Sequence, residues 1–240
     1  VAVTADGASI VVTHAGTHEL SVIDRAGMHA RLGSVPYPGG FSETAADVPF
    51  DLGFLSGLRL RVSLDGEGPR SLAVAGGVAY VGMFYSDGLA AVSALDSGAP
   101  TAIRVGPAAD DLVLDDTERG ERAFNDATQT YQQWLSCASC HPDGRSDALN
   151  WDLGNDGLGS PRQAKSLLAA HHTPPAMITG IRADAPTAVR AGFRFIEFAA
   201  RDEADALAVD AYLASLAPQS SPVALDPTVG EAASRGESLY

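Results

Sequence analysis

Two thiols and an imidazole sit within five residues of one another in Ser136-Cys137-Ala138-Ser139-Cys140-His141-Pro142. The C-x-x-C-H spacing suits covalent capture of a c-type haem. Cys137 and Cys140 can add to the two vinyl groups on one porphyrin edge, and His141, the next residue, can deliver an imidazole to the iron. Other chemistries use part of this pattern. A zinc centre needs four ligands, and the chain has only these two cysteines and no second Cys/His pair at finger spacing. A redox disulfide of the thioredoxin kind needs a βαβ setting, which the flanking sequence lacks. One covalent haem c is therefore the expected cofactor.

The iron needs a sixth ligand or an open position. Met177 follows His141 by 36 positions and comes after Pro174-Pro175, which hold the chain extended. A thioether on the distal side raises the redox potential, whereas a second histidine lowers it. His171 is the alternative distal ligand, with His172 beside it. Arg145 and Trp151 are candidate partners for the haem propionates through a guanidinium and an indole N–H. Tyr131 and Trp134 put aromatic faces just before the motif. No catalytic side chain is assigned. Asp152, Asn155 and Asp156 supply oxygens for calcium but miss the spacing of an EF-hand loop.

The elements that must position these groups change character along the chain. Residues 1 to 108 read as short strands: Val1 to Val3, Ser9 to Thr13 and Glu19 to Ile23, then Ser71 to Val74, Val78 to Val81 and Leu89 to Ala94. Asp6-Gly7, Gly76-Gly77 and Asp87-Gly88 mark turns between them. Residues 30 to 70 read as an insertion with loops at Val35 to Gly40 and Asp65 to Pro69. His14 and His18 fall on strand and turn positions and are expected to be structural. Beyond the acidic run near Asp110 to Asp116, apolar spacing becomes helical. The pattern predicts helices from Thr117 to Leu135, with Thr117 as its cap, from Pro186 to Ala200, and from Asp202 to Leu216.

The stretch from Val12 to Asp24, with Val-Ile-Asp at its end, resembles bacterial seven-bladed propeller repeats whose strands read YVTN and VSVID. The first part thus resembles two or three β-propeller blades, too few to close a ring at roughly 40–45 residues per blade. The helix before the motif, the C-x-x-C-H run, Met177-Ile-Thr-Gly-Ile and the Ala206 to Leu216 helix resemble a class I cytochrome c domain. That resemblance implies packing of Tyr131 and Trp134 against the porphyrin. His171-His172-Thr-Pro-Pro is similar to a stretch of the dihaem cytochrome c peroxidase family and its propeller-fused relatives.

These resemblances imply a multidomain fold: an N-terminal all-β partial β-propeller (1–108), an all-α cytochrome c domain (109–218), and a linker leading to a second haem domain (219–240). Arg235-Gly-Glu-Ser-Leu-Tyr240 echoes Arg119-Gly-Glu-Arg-Ala-Phe124, as though a second domain opened there and the 240 residues were part of a longer multihaem chain. The implied function is one-electron transfer with His141/Met177 ligation; the rival is the relay or active site of a peroxidase-like dihaem oxidoreductase. Haem c attachment further implies a periplasmic or other extracytoplasmic location, although no signal peptide opens the sequence.

The formal charge of −14 argues against nucleic acid as a partner and for a basic redox protein, or another haem domain. No run of eighteen apolar residues is present, so no membrane-spanning helix is expected.

Overall fold

The computed structural model describes residues 1–107, 112–152, 159–219 and 227–239. Asn155 and Asp156 of the calcium reading, the expected boundary at 108/109, and Tyr240 lie outside the described residues. The first half holds β1 (Ala2–Val3), β2 (Ser9–His14), β3 (Glu19–Asp24), α1 (Arg25–Gly33), β4 (Arg59–Ser63), β5 (Pro69–Ala75), β6 (Val78–Met83), β7 (Gly88–Ser93) and β8 (Thr101–Val105). These strands form two four-stranded antiparallel sheets, each in sequence order: β1-β2-β3-β4 and β5-β6-β7-β8.

Side-chain alternation explains how the sheets meet. In β6, Ala79, Val81 and Met83 are buried while Tyr80 points out. They join Val11, Leu20, Val22 and Val62 of the first sheet, and Ala90 and Val92 of β7, in one core. The hairpin between β5 and β6 turns at Gly76 and Gly77, with φ of 58° and 76°, a left-handed pair that glycine adopts without Cβ strain. The segment between β3 and β4 spans 25–58, so β4, paired with β3, falls inside the insertion expected over residues 30 to 70. The segment opens with helix α1, capped by Asp24, whose carboxylate accepts from Gly27 N–H at 3.0 Å. Asp51 organises the rest of it, accepting from Tyr37 Oη at 2.8 Å and Ser42 Oγ at 3.0 Å.

The second half contains α2 (Asp116–Asn125), α3 (Cys137–Cys140), the short pair β9 (Asn150–Trp151) and β10 (Arg162–Gln163), then α4 (Ala185–Phe195), α5 (Glu203–Ser215) and α6 (Pro227–Glu237). The whole is a mixed fold of antiparallel sheets and helices. Helix α1 lies within the strand-rich half, and β9-β10 within the helical half, so neither half is all of one kind. No helix among the described residues is long and apolar enough to cross a membrane.

Helix α2 departs from the expected Thr117-to-Leu135 helix. Its cap is Asp115, which accepts from Glu118 N–H at 2.9 Å while Glu118 returns a carboxylate to Asp115 N–H at 2.9 Å. The helix stops at Asn125. Asp126 turns its carboxylate onto Thr128 N–H at 2.7 Å, and Gln132 and Gln133 take φ of 52° and 56°, which no α-helix accommodates. Asp115→Ala is expected to lower stability by about 1 kcal/mol, read as a lower urea midpoint with unchanged slope; an unchanged midpoint would show that the cap contributes nothing.

Helices α2 and α5 cross closely, and Phe124, Phe193, Val209, Tyr212 and Leu213 form the second core. Gly120 makes the crossing possible, because a Cβ there would lie 1.9 Å from Ala208 O. The two halves touch through several contacts. Ala127 N–H donates to Gly16 O at 2.9 Å, His18 Nε2 lies 3.5 Å from Asp126 Oδ1, and Arg122 pairs with Glu67. Arg70 reaches Asp143 at 3.1 Å.

Candidate functional site: the Cys137–His141 turn

The single turn of α3 places Cys137 and Cys140 three residues apart, hence on neighbouring positions of one face. Ser139 Oγ accepts from Ser136 N–H at 3.0 Å and fixes where the turn begins. His141 N–H donates to Cys137 O at 3.0 Å, so the imidazole follows the thiols directly. Both cysteines are free thiols; Cys140 is buried and Cys137 partly so.

Burial, reinforced by Asp147, pushes the Cys140 thiol up to about 11. Cys137 is raised well above the usual thiol range, first by burial and then by Glu197, whose Oε1 accepts its S–H at 3.0 Å. Redox-active C-x-x-C pairs work by the opposite shift, a lowered thiol pKa. Both shifts favour the protonated thiol over the thiolate.

His141 Nδ1 lies 2.8 Å from Lys165 O and 3.2 Å from Arg145 O. Carbonyl oxygens only accept, so Nδ1 carries the proton and Nε2 presents its lone pair. Nε2 has no protein partner among the described residues. A metal-ligating histidine has this arrangement, with one nitrogen fixed by a backbone carbonyl and the other left for the ion. The donor set fits a c-type haem: two neutral thiols one turn apart and an oriented imidazole beside them. Among the described residues no group of three or more His, Cys, Asp or Glu that could hold an ion occurs; Asn155 and Asp156 of the calcium reading lie outside them.

The other expected residues are dispersed. Tyr131 and Trp134 are half exposed and both contact Phe198, with ring centroids 6.5 and 6.1 Å apart. Phe198 follows Glu197, so this aromatic cluster adjoins the Cys137 side of the turn. The Arg145 guanidinium is exposed and unpaired among the described residues. Trp151 Nε1–H already donates to Asp147 Oδ2 at 2.8 Å, which removes it as a free donor.

Met177 heads a turn closed by Gly180 N–H to Met177 O at 3.0 Å, with φ of 68° and a half-exposed side chain. His171 is partly buried with both ring nitrogens shielded from solvent, Nε2 lying 3.6 Å from Asp210 Oδ1 on α5, and neither ring nitrogen makes a hydrogen bond. No described contact joins Met177 or His171 to the Cys137–His141 turn.

Glu197 and Arg201 belong to the site although nothing in the sequence reading singled them out. Both side chains are 2% exposed, and Arg201 Nε lies 3.4 Å from Glu197 Oε2. Glu197 is the lone acid in the apolar run Phe195-Ile-Glu-Phe-Ala-Ala200, with an arginine four residues on. That spacing is the one available signal.

No family model matches the chain. A stretch of 57 residues is 42% identical to hydrazine synthase subunit gamma of Kuenenia stuttgartiensis. The likeness is local. It covers 23% of this chain and 16% of that subunit. Among solved structures, Kuenenia stuttgartiensis hydrazine synthase pressurized with 20 bar xenon aligns with a TM-score of 0.42 and 27% identity, over 45% of this chain and 38% of that one. The chain thus spans well under two thirds of either relative.

Proposed function

We propose that the chain is a one-electron carrier holding one haem c through thioethers at Cys137 and Cys140, with His141 as the proximal ligand. The observation that carries this reading is the His141 imidazole, held at Nδ1 by two backbone carbonyls and free at Nε2, immediately after two protonated thiols. The haem supplies reversible one-electron exchange at its iron. The chain's own residues would anchor and orient it: Cys137 and Cys140 would hold it covalently, His141 would offer Nε2 to its iron, and Tyr131 and Trp134 would offer apolar faces beside the turn.

Met177 is the distal ligand in this reading. Its thioether stands half-exposed at the head of a turn, whereas the His171 imidazole is turned against Asp210 and would have to leave that carboxylate to reach a metal. The same contrast counts against the peroxidase-like alternative, in which His171 or His172 would work at an open iron.

The two four-stranded sheets are read as two propeller blades (1–108) that scaffold a cytochrome c domain (109–218). Residues 219–240 are read as the approach to a second haem domain of a longer multihaem protein. The local likeness to a hydrazine synthase subunit supports a redox role within a multisubunit assembly. The formal charge of −14 suits a basic redox partner, and haem attachment an extracytoplasmic compartment.

The optical spectrum of the purified chain tests the reading. Low-spin bands, indifferent to peroxide, with a weak near-red sulfur-to-iron band that disappears in Met177→Ala, are expected. A high-spin spectrum that responds to peroxide would replace electron transfer with the peroxidase-like reading.

A further inference from the structure

The buried pair Glu197 and Arg201 has no part in holding a haem, yet it touches one of the anchoring thiols. Glu197 Oε1 accepts the Cys137 S–H at 3.0 Å, and Oε2 faces Arg201 Nε at 3.4 Å without a hydrogen bond from any group. Arg201 is committed elsewhere. Its Nη1 and Nη2 donate to Ala123 O at 3.1 Å and Asp126 O at 2.7 Å, and its guanidinium lies over the Phe193 ring at 5.0 Å. Glu197 Oε2 is thus opposed by the Arg201 charge but accepts no hydrogen bond, and a buried carboxylate oxygen left without one is costly.

From this geometry we propose that Glu197 is a proton-binding site whose occupancy follows electron uptake at the group anchored on Cys137, so that the chain moves a proton with its electron. The proposal rests on the haem reading above. Thioether formation at Cys137 removes the S–H that Oε1 now accepts, leaving Arg201 as the one opposing charge. An electron delivered by a one-electron donor protein lowers the positive charge beside the carboxylate. Glu197 then takes one proton from water on Oε2, and returns it when the electron leaves.

Burial already holds the Glu197 carboxyl above the usual carboxylate range, against the lowering influence of the Cys137 hydrogen bond and of Arg201. The groups facing it are Cys137 from α3, Arg201 from the segment between α4 and α5, and Asp126 beyond α2. Asp126, a second negative charge, favours protonation and is itself faced by His18 at 3.5 Å from the β2–β3 turn. The sign follows. Protonated Glu197 favours the reduced state and ionised Glu197 the oxidised state, so the potential falls as pH rises between the two proton affinities.

A redox titration of the full chain at a series of pH values reads this directly. The expected result is a window in which the redox equilibrium shifts up to tenfold per pH unit, about 59 mV for one electron. Glu197→Gln should be flat across that window and sit at the potential the parent reaches at low pH. A flat parent, or an unchanged slope in Glu197→Gln, overturns the proposal. Should that variant not fold, the reduced-minus-oxidised infrared spectrum of the parent decides. A protonated-carboxyl C=O band that appears on reduction and shifts in D2O supports the site, and its absence overturns it. A chain found at its apoprotein mass would instead overturn the haem reading, an outcome distinct from a haem-loaded chain with a pH-independent potential.

Discussion

Cys137→Ser combined with Cys140→Ser is expected to abolish covalent haem retention completely. The parent, unfolded in acid and examined by mass spectrometry, should run one haem heavier than its polypeptide, and the double variant should run at the polypeptide mass. The expectation follows from bond type. A thioether survives unfolding, whereas axial ligation by an imidazole needs the folded turn and is lost with it. Single variants should each retain the group through the remaining thiol. In the loaded parent the thioether has removed the S–H that Glu197 accepts, whereas Cys137→Ser keeps an O–H donor there, so its loading should be accompanied by a change at that carboxyl that the Cys140 variant does not show. Serine is chosen because it keeps a similar shape and a hydrogen-bond donor, so failure to load cannot be laid to a cavity. A parent at polypeptide mass with two titratable thiols would end the haem argument.

The largest effect on stability is expected from Gly120→Ala. A methyl group there would stand 1.9 Å from Ala208 O, 2.5 Å from its carbonyl carbon and 2.8 Å from Tyr212 Cβ. Two of those atoms are backbone and cannot swing aside, so α2 and α5 must separate and loosen the core around Phe124 and Tyr212. Overpacking of this kind costs about 3 kcal/mol at the upper end of its usual range. Removing a glycine from a helix interior returns only about 1 kcal/mol, so the clash wins. Gly236→Ala in α6 is the matched control. It occupies the same place in the Arg-Gly-Glu pattern, yet has nothing within 4 Å, so stability there should hold or rise slightly. Urea unfolding of the two variants gives the comparison. Equal midpoints would mean that the helix crossing relaxes freely.

The parts of the fold that were legible in the sequence are those specified locally. Strands β1 to β3 and β5 to β7 announce themselves through alternating apolar residues bounded by Asp-Gly and Gly-Gly turns. Strand β4 does not, because Arg59-Leu-Arg-Val-Ser63 finds its partner β3 only across the insertion. Strand β8 pairs with β7 through Thr101-Ala-Ile-Arg-Val105, a short run broken by an arginine. The Tyr131 and Trp134 spacing mimics a helix, but local competition from the Asp126 side chain and two left-handed glutamines ends α2 earlier.

The candidate site divides in the same way. Cys137, Cys140 and His141 are neighbours in sequence and declare their chemistry through spacing alone. Glu197 reaches Cys137 from sixty residues away, and its importance comes from burial, a tertiary property with no local signature. The indole N–H of Trp151 is expected from the sequence to face a propionate, but Asp147, four residues earlier, accepts it at 2.8 Å. His18 was expected to be structural, and it sits at the junction of the halves, accepting Gly68 N–H on Nδ1 at 3.2 Å.

The two atoms that orient His141 are main-chain oxygens, those of Arg145 and Lys165. Every amino acid carries such an oxygen, so selection for the imidazole's direction places no demand on side-chain identity at either position. Divergent descendants can exchange both residues freely and keep the ligand aimed. What they cannot change cheaply is the length of the intervening segment, since a single insertion or deletion would bring the wrong carbonyl to the ring. The inherited constraint is therefore on gap placement rather than on letters, and a column-by-column comparison of homologues would score these two positions as unimportant.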